Sequence, residues 1–452
     1  MKSLGTLDAG FFFAEDSDAP LHIGSVTVFE GPVPSYGDLV RMILARLPLL
    51  PRYRQRVRTV PFSRPVWVDD QNFQVLYHVR HTAVPGPGGA EELRNLAGRV
   101  FAQRLDLARP PWELWMVEGL EDDRWALIAK VHHCVVDGVG GSDLMTTLFD
   151  VCRESSFAGE AEPWSSRTAP GVLSLTLRGL VQNAAAPVRW LAHPALPRLS
   201  VVRGAWDFGA GLQRSLRRVA HRSVPSLTGP TGPHRRWSWT TLQLDQVKAV
   251  RQEYGTTVND VIVAVVTSGF RSLLAGRGEL EPTSHVRSLI PVSVRGENEH
   301  DLMANRISAL VIDLPCGQAD PVARLAALHA QMDDLKQTHQ AATAQALTEL
   351  AGSAPFLLSL ASRTTMSVAR PLCQTVITNV PGPPIPLYVL GRQAVELYPY
   401  VPIAAGAGIS VGVFSYLGVL YFGITGDFDT VPDLEVLTKG IDHGLSELLA
   451  AA

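Results

Sequence analysis

Two adjacent histidines, His132 and His133, close an apolar run that begins at Trp125, and Asp137 and Gly138 follow at the spacing His-His-x-x-x-Asp-Gly. A general base belongs at such a strand end, where one imidazole can enter a cavity beside the sheet. Side chains alternate along a strand, so the two rings are expected to point to opposite faces, one working while the other holds the loop. Gly138 supplies the backbone freedom for an abrupt exit. Other readings use the same residue types. Zinc would need further His or Cys ligands at metal spacing, and none lies close in sequence, so no metal is expected. A histidine pair buried for packing and satisfied by backbone is the plainer alternative.

Three further sites carry polar groups at the edge of apolar runs. Asn259 and Asp260 open the helix-like stretch from Thr257 to Leu274. About 100° of rotation separates neighbours on a helix, so one of the pair can face a cavity while the other bonds locally. Arg295 ends the apolar run from Leu289 and is the expected ion-pair partner of Asp137. Thr378 and Asn379 end another such run before Pro381-Gly382-Pro383, where donors can meet an oxyanion. Arg109-Pro110-Pro111-Trp112 pins the strand before the histidines and reads as packing.

Elements of both kinds alternate around these sites, which makes the chain α/β. Strands are expected at 22–29, 73–79, 125–133, 237–242, 285–294, 306–314 and 375–379, and helices at 36–46, 90–104, 144–151, 245–254, 257–274, 320–348 and 432–449. Residues 397–426 carry no charged side chain, yet six glycines and the turn Tyr416-Leu417-Gly418 make a buried hairpin the expectation rather than a membrane helix. With 452 residues, 46% of them hydrophobic and 18% charged, the chain is long enough for two large lobes. The divisions fall at 1–155, 156–235 and 236–452. Net charge is −3, so nucleic acid is not an expected partner. Four scattered cysteines and an N-terminus unlike a secretion signal suggest reduced thiols inside the cell.

The middle segment differs from both lobes. Residues 164–236 hold eleven arginines against one acid, Asp207, interleaved with Leu173, Leu175, Leu177, Leu180, Val181, Trp190, Leu191 and Trp206. Such a composition suits a helix lying on anionic lipid, and equally a solvated connector whose arginines meet the acidic lobes. Reception of a ligand's phosphates by some of these arginines is compatible with either.

In this order the motifs resemble the bacterial wax ester synthase/acyl-CoA:diacylglycerol acyltransferase family, over essentially the whole chain. The resemblance is carried by Leu7-Asp8-Ala9-Gly10-Phe11-Phe12, Pro20-Leu21-His22-Ile23-Gly24, His132 to Gly138, Asn259-Asp260, Asn305-Arg306-Ile307-Ser308 and Asn379-Val380-Pro381-Gly382-Pro383. One departure is visible: the family's Pro-Leu-Trp triplet stands here as Pro110-Pro111-Trp112. The resemblance implies two lobes like chloramphenicol acetyltransferase, α/β sandwiches with a channel between them. It implies acyl-CoA as co-substrate with no bound cofactor, His133 as base, and diacylglycerol or a long-chain alcohol as acceptor. Asn259, Asp260, Thr378 and Asn379 are the expected substrate or oxyanion residues, and Asp137 with Arg295 the loop-fixing pair. The expected location is cytoplasmic, peripheral to the inner membrane face or lipid droplets through residues 164–236. A condensation-type enzyme fed by carrier-protein thioesters shares the histidine motif, and a non-catalytic lipid-binding protein of the same fold is a further alternative.

Overall fold

The run from Trp125 to His132 becomes a central strand because both of its faces are covered, and Trp125, Ala126 and Ile128 are fully buried. The computed structural model describes residues 2–15, 19–61, 63–135, 147–154, 164–168, 170–171, 174–177, 224–293, 307–337, 373–403 and 406–452. Its first part runs α1 (Thr6–Ala14), β1 (His22–Phe29), α2 (Tyr36–Arg46), β2 (Gln55–Arg58), β3 (Val66–Asp69), α3 (Val75–His78), β4 (Val79–Ala83), α4 (Ala90–Ala102), β5 (Trp112–Glu118) and β6 (Trp125–His132). The second runs β7 (Arg235–Gln243), α5 (Leu244–Glu253), α6 (Val258–Gly276), β8 (Val286–Ser293), β9 (Ile307–Leu314) and α7 (Pro321–Gln337). It ends with β10 (Thr375–Val380), β11 (Tyr388–Val389), β12 (Arg392–Tyr400), β13 (Ile409–Tyr416), β14 (Val419–Asp427) and α8 (Leu434–Ala450).

Two six-stranded sheets organise the lobes. The first has the order β11-β12-β1-β6-β5-β4 and the second β7-β14-β13-β10-β8-β9. The second lobe was expected to be one continuous stretch from residue 236, but β11 and β12 leave it to join the first sheet. There β12 pairs antiparallel with β1, Gly24 opposite Tyr400. Sequence periodicity cannot signal this, because strand partners are set by long-range contacts. The crossover also locks the lobes together. Tyr400 stacks on Phe101 of α4 at 3.9 Å, and a Cβ on Gly423 of β14 would lie 1.7 Å from the Pro399 carbonyl oxygen, so only glycine fits.

The expected hairpin forms as β13 and β14, with Leu417 and Gly418 both at positive φ in the turn. Residues 73–79, expected as a strand, instead hold the short α3 before β4 begins at Val79. Their apolar residues serve a packed turn as well as a strand, and so short a run has no period to decide between them. Helix α6 is long and apolar enough to cross a membrane, yet 72% of its apolar window is buried in the core of the second lobe, where the helix packs against α8, α7 and α5. Of the helix expected at 144–151, residues 144–146 lie outside the described residues; Thr147 and Leu148 are helical, but the helix stops there, because Asp150 forms an antiparallel bridge with Tyr388 instead.

The described start of the middle segment lies on the β2–β3 hairpin. Trp164 meets Phe73 edge-on at 6.2 Å and receives the Arg54 guanidinium at 4.8 Å. Arg58 donates to the Pro170 carbonyl at 3.2 Å, and the Arg167 amide donates to Asp69 at 3.0 Å. Leu175, one of the apolar residues interleaved with the arginines, is buried with Val60, Val66 and Val68. Residues 178–223 lie outside the described residues.

Candidate active site

Strand β6 ends at His132, so the period-two alternation expected to send the two imidazoles to opposite faces stops one residue too early to govern His133. Both rings instead meet elements from the N-terminal end of the chain. His132 is fully buried opposite His22 of β1. Its Nδ1 accepts the Cys134 amide at 3.1 Å, which places the proton on Nε2, and Nε2 faces the Glu15 carboxylate at 3.7 Å. Burial, with His133 and Arg104 nearby, brings its pKa down to about 3. It is a neutral brace for the turn. His22 is its counterpart, with Nε2 2.9 Å from the Phe101 carbonyl and its pKa driven well down by burial and by Lys130.

His133 begins the turn, tied by its amide to the Leu21 carbonyl at 2.9 Å. Its side chain is only half-buried. Burial lowers its pKa, opposed by its own backbone carbonyl, and a neutral imidazole is the form that can accept a proton. Nδ1 is buried without a hydrogen bond among the described residues, and the ring of Phe11 stacks on the imidazole at 3.8 Å.

The sequence reading did not single out Glu15, and it gave Phe11, although part of the opening Leu7–Phe12 stretch, no role. Glu15 accepts the Leu21 amide at 3.2 Å and is approached by Arg104 at 3.5 Å, while burial raises its pKa. The only signal in the sequence was a short acidic stretch just after an aromatic run, which says nothing about a partner more than a hundred residues away.

Pro111 shows how the altered triplet is accommodated. Its carbonyl accepts the His132 amide at 3.0 Å, so it serves as an acceptor and the donor a proline lacks is not called on. Pro111→Leu is expected to cost about 0.4–1 kcal/mol through the freer unfolded chain, with turnover within about twofold; thermal melts and steady-state rates check both.

The second lobe brings two more of the expected residues together. Asn379 at the end of β10 donates Nδ2 to Asn259 Oδ1 at the start of α6, at 3.5 Å, and Thr378 beside it is half-buried. Asp260, also expected near substrate, is fully buried and used locally. Its Oδ2 takes the Thr257 amide at 2.9 Å in a capping box and His329 Nδ1 of α7 at 2.8 Å. His329→Leu is expected to lower stability by about 1.5–3 kcal/mol in urea denaturation, with His329→Gln recovering part of the loss. No hydrogen bond among the described residues links the asparagines to the histidines. Asp137, Gly138, Arg295, Asn305 and Arg306 lie outside the described residues. No group of three or more His, Cys, Asp or Glu able to hold a metal occurs among the described residues.

Comparison with known proteins decides the class of chemistry. Residues 4–262 match the Wax ester synthase/diacylglycerol acyltransferase catalytic domain, and residues 303–449 the WS/DGAT C-terminal domain. The chain belongs to the wax ester synthase/diacylglycerol acyltransferase family. Within it, a Mycobacterium tuberculosis protein named "Probable diacyglycerol O-acyltransferase tgs1" is 36% identical over 459 residues, covering 100% of this chain and 96% of the relative. Among solved structures, a wax ester synthase/diacylglycerol acyltransferase from Marinobacter aquaeolei VT8 superposes with a TM-score of 0.70 at 24% identity, over 100% of this chain and 99% of that one. The TRI3 trichothecene 15-O-acetyltransferase of Fusarium sporotrichioides gives 0.64 at 13% identity, over 98% and 94% of the two chains. These likenesses establish the fold as that of two-lobed, chloramphenicol-acetyltransferase-like enzymes. The chain is an acyltransferase, as the family is.

Proposed function

We propose that this enzyme moves a long-chain acyl group from acyl-CoA to the hydroxyl of diacylglycerol, and to long-chain alcohols as a second acceptor. The reading is carried by one observation: a half-buried, neutral His133 at the end of β6, inside the matched catalytic domain. In the reaction, the His133 lone pair takes the acceptor's hydroxyl proton as that oxygen attacks the thioester carbonyl. The tetrahedral intermediate collapses with loss of the CoA thiolate, which recovers the proton from the imidazolium. Nδ1 is the buried edge of the ring, so the nitrogen assigned as base is Nε2. A thioester is already activated, so a neutral base, orientation and oxyanion donors are enough. The Asn379 amide, beside Asn259, is the donor assigned to the oxyanion. Asp137 and Arg295 are assigned to fixing the loop by an ion pair, and the function needs no metal or bound cofactor.

Diacylglycerol is the preferred acceptor because relatives of full length carry that name. Purified protein given palmitoyl-CoA with dioleoylglycerol or hexadecanol should release free thiol and form triacylglycerol faster than wax ester. Wax ester alone would reverse the preference. Turnover only with carrier-bound thioesters would favour the condensation reading.

Contact with the inner membrane face or a lipid droplet is part of the same proposal, because the acceptor is insoluble and residues 164–236 are strongly basic. Vesicles containing anionic lipid should pull the protein down at low salt and release it at high salt, and purely zwitterionic vesicles should not bind it. Equal binding to both would remove the basic segment from this role.

A further inference from the structure

The face of the His133 ring is covered by a residue of the opening Leu7–Phe12 stretch, to which no role in the chemistry was assigned. Phe11 of α1 stacks on it with 3.8 Å between ring centroids and 27° between planes. The next two residues are phenylalanines as well, and their employment differs. Phe12 and Phe13 pack against the core of the first lobe, whereas Phe11 is not among the side chains of that cluster.

The helix that carries Phe11 is tethered on both sides of it. Before it, the Leu4 amide donates to Pro65 at 2.8 Å and the Trp67 amide of β3 donates to Lys2 at 3.0 Å. After it, Glu15 accepts the Leu21 amide at 3.2 Å and faces His132. The phenyl ring is therefore delivered to the imidazole by anchors that do not depend on that contact.

Stacking occupies a face of the imidazole, whereas both nitrogens lie on its edge, in the ring plane. A face-on neighbour at this distance opposes rotation about the Cβ–Cγ bond, because other settings push the imidazole edge into the phenyl carbons. We infer that Phe11 is a positioning residue for acyl transfer, holding the His133 imidazole in the one orientation from which Nε2 reaches the acceptor hydroxyl. The inference rests on His133 being the base, and it makes the N-terminal helix part of the active centre.

Three variants test it in one assay of thiol release from palmitoyl-CoA with dioleoylglycerol. Phe11→Leu keeps an apolar side chain and removes the planar face; kcat should fall about tenfold with the KM for acyl-CoA unchanged within about twofold. Phe11→Tyr retains the ring and should keep at least about half of the rate. Phe11→Met, flexible and close in volume, should behave as Phe11→Leu and serves if that variant folds poorly. A second readout needs no turnover. In protein labelled with ¹³C at histidine Cε1, the His133 signal should be displaced by the phenyl ring current and should move to an ordinary position in Phe11→Leu, with the melting temperature unchanged.

A Phe11→Leu enzyme with full kcat, or a His133 signal that does not move, overturns the inference, as does a rate loss in all three variants that tracks falling melting temperature. His133→Ala separates the two levels. If it keeps turning over, the base assignment fails; if it is dead while Phe11→Leu is fully active, only the role of Phe11 fails.

Discussion

His133→Ala should lower kcat by about 10²–10⁴-fold and leave the fold intact. The effect is large because proton transfer and attack share one transition state, and water in the vacated space is neither basic enough nor held in place. Its structural cost is small, since the ring is half-buried and the turn is held instead by the amide bond from His133 to Leu21. His132→Ala should do the reverse, damaging stability first, because it removes the acceptor of the Cys134 amide from a fully buried position. Comparing kcat and melting temperature for the two variants therefore assigns the working and the bracing histidine. Equal losses of activity at equal stability would contradict that division.

Acid should unfold this enzyme through the bracing histidines. In the folded protein the pKa of His132 is about 3, against 6.5 for an ordinary histidine. The unfolded chain then binds the proton more readily between these values, so the stability is fully present above pH 6.5 and drains away as pH falls toward 3. The gap corresponds to about 5 kcal/mol, a large part of the stability of an ordinary domain. His22 acts in the same direction, being shifted down by burial. Glu15 opposes them, since its raised pKa makes the folded state hold a proton more tightly as pH falls. Melting temperature should drop steeply below pH 6.5, and His132→Asn, which cannot titrate, should flatten that slope. A slope unchanged in His132→Asn would place the acid sensitivity elsewhere.

The parts of this molecule that were legible in the sequence are those where local pattern and final structure coincide. The histidines sit at the end of an apolar run broken only by Lys130, and the β13–β14 hairpin is two strand-forming runs around a glycine turn, so neither needed a distant partner to be recognised. Asn259 and Asp260 divided their tasks as helical geometry required, Asp260 capping α6 and Asn259 meeting Asn379. Their meeting joins residues 120 positions apart, which pattern alone cannot announce. The roles of Phe11 and Glu15 were missed for the same reason, since an aromatic and an acid near the N-terminus carry no mark of what they will touch. The burial of Leu175 was not legible either: an apolar residue among arginines suits lipid, a connector and a valine-lined hairpin equally well.

Strand β12 has a consequence for how the protein is made. Until Tyr400 has been synthesised, the edge of β1 that β12 will cover stays unpaired, although its other edge can pair with β6 once His132 is available. At ~5–20 residues per second, a ribosome needs roughly 20–80 s to reach that point. Through that interval the nascent chain displays an apolar strand with free amides and carbonyls, the kind of edge to which other chains add. Heterologous expression should therefore be limited by aggregation during synthesis more than by the stability of the finished enzyme, and slower induction or more chaperone should raise soluble yield where stabilising substitutions do not.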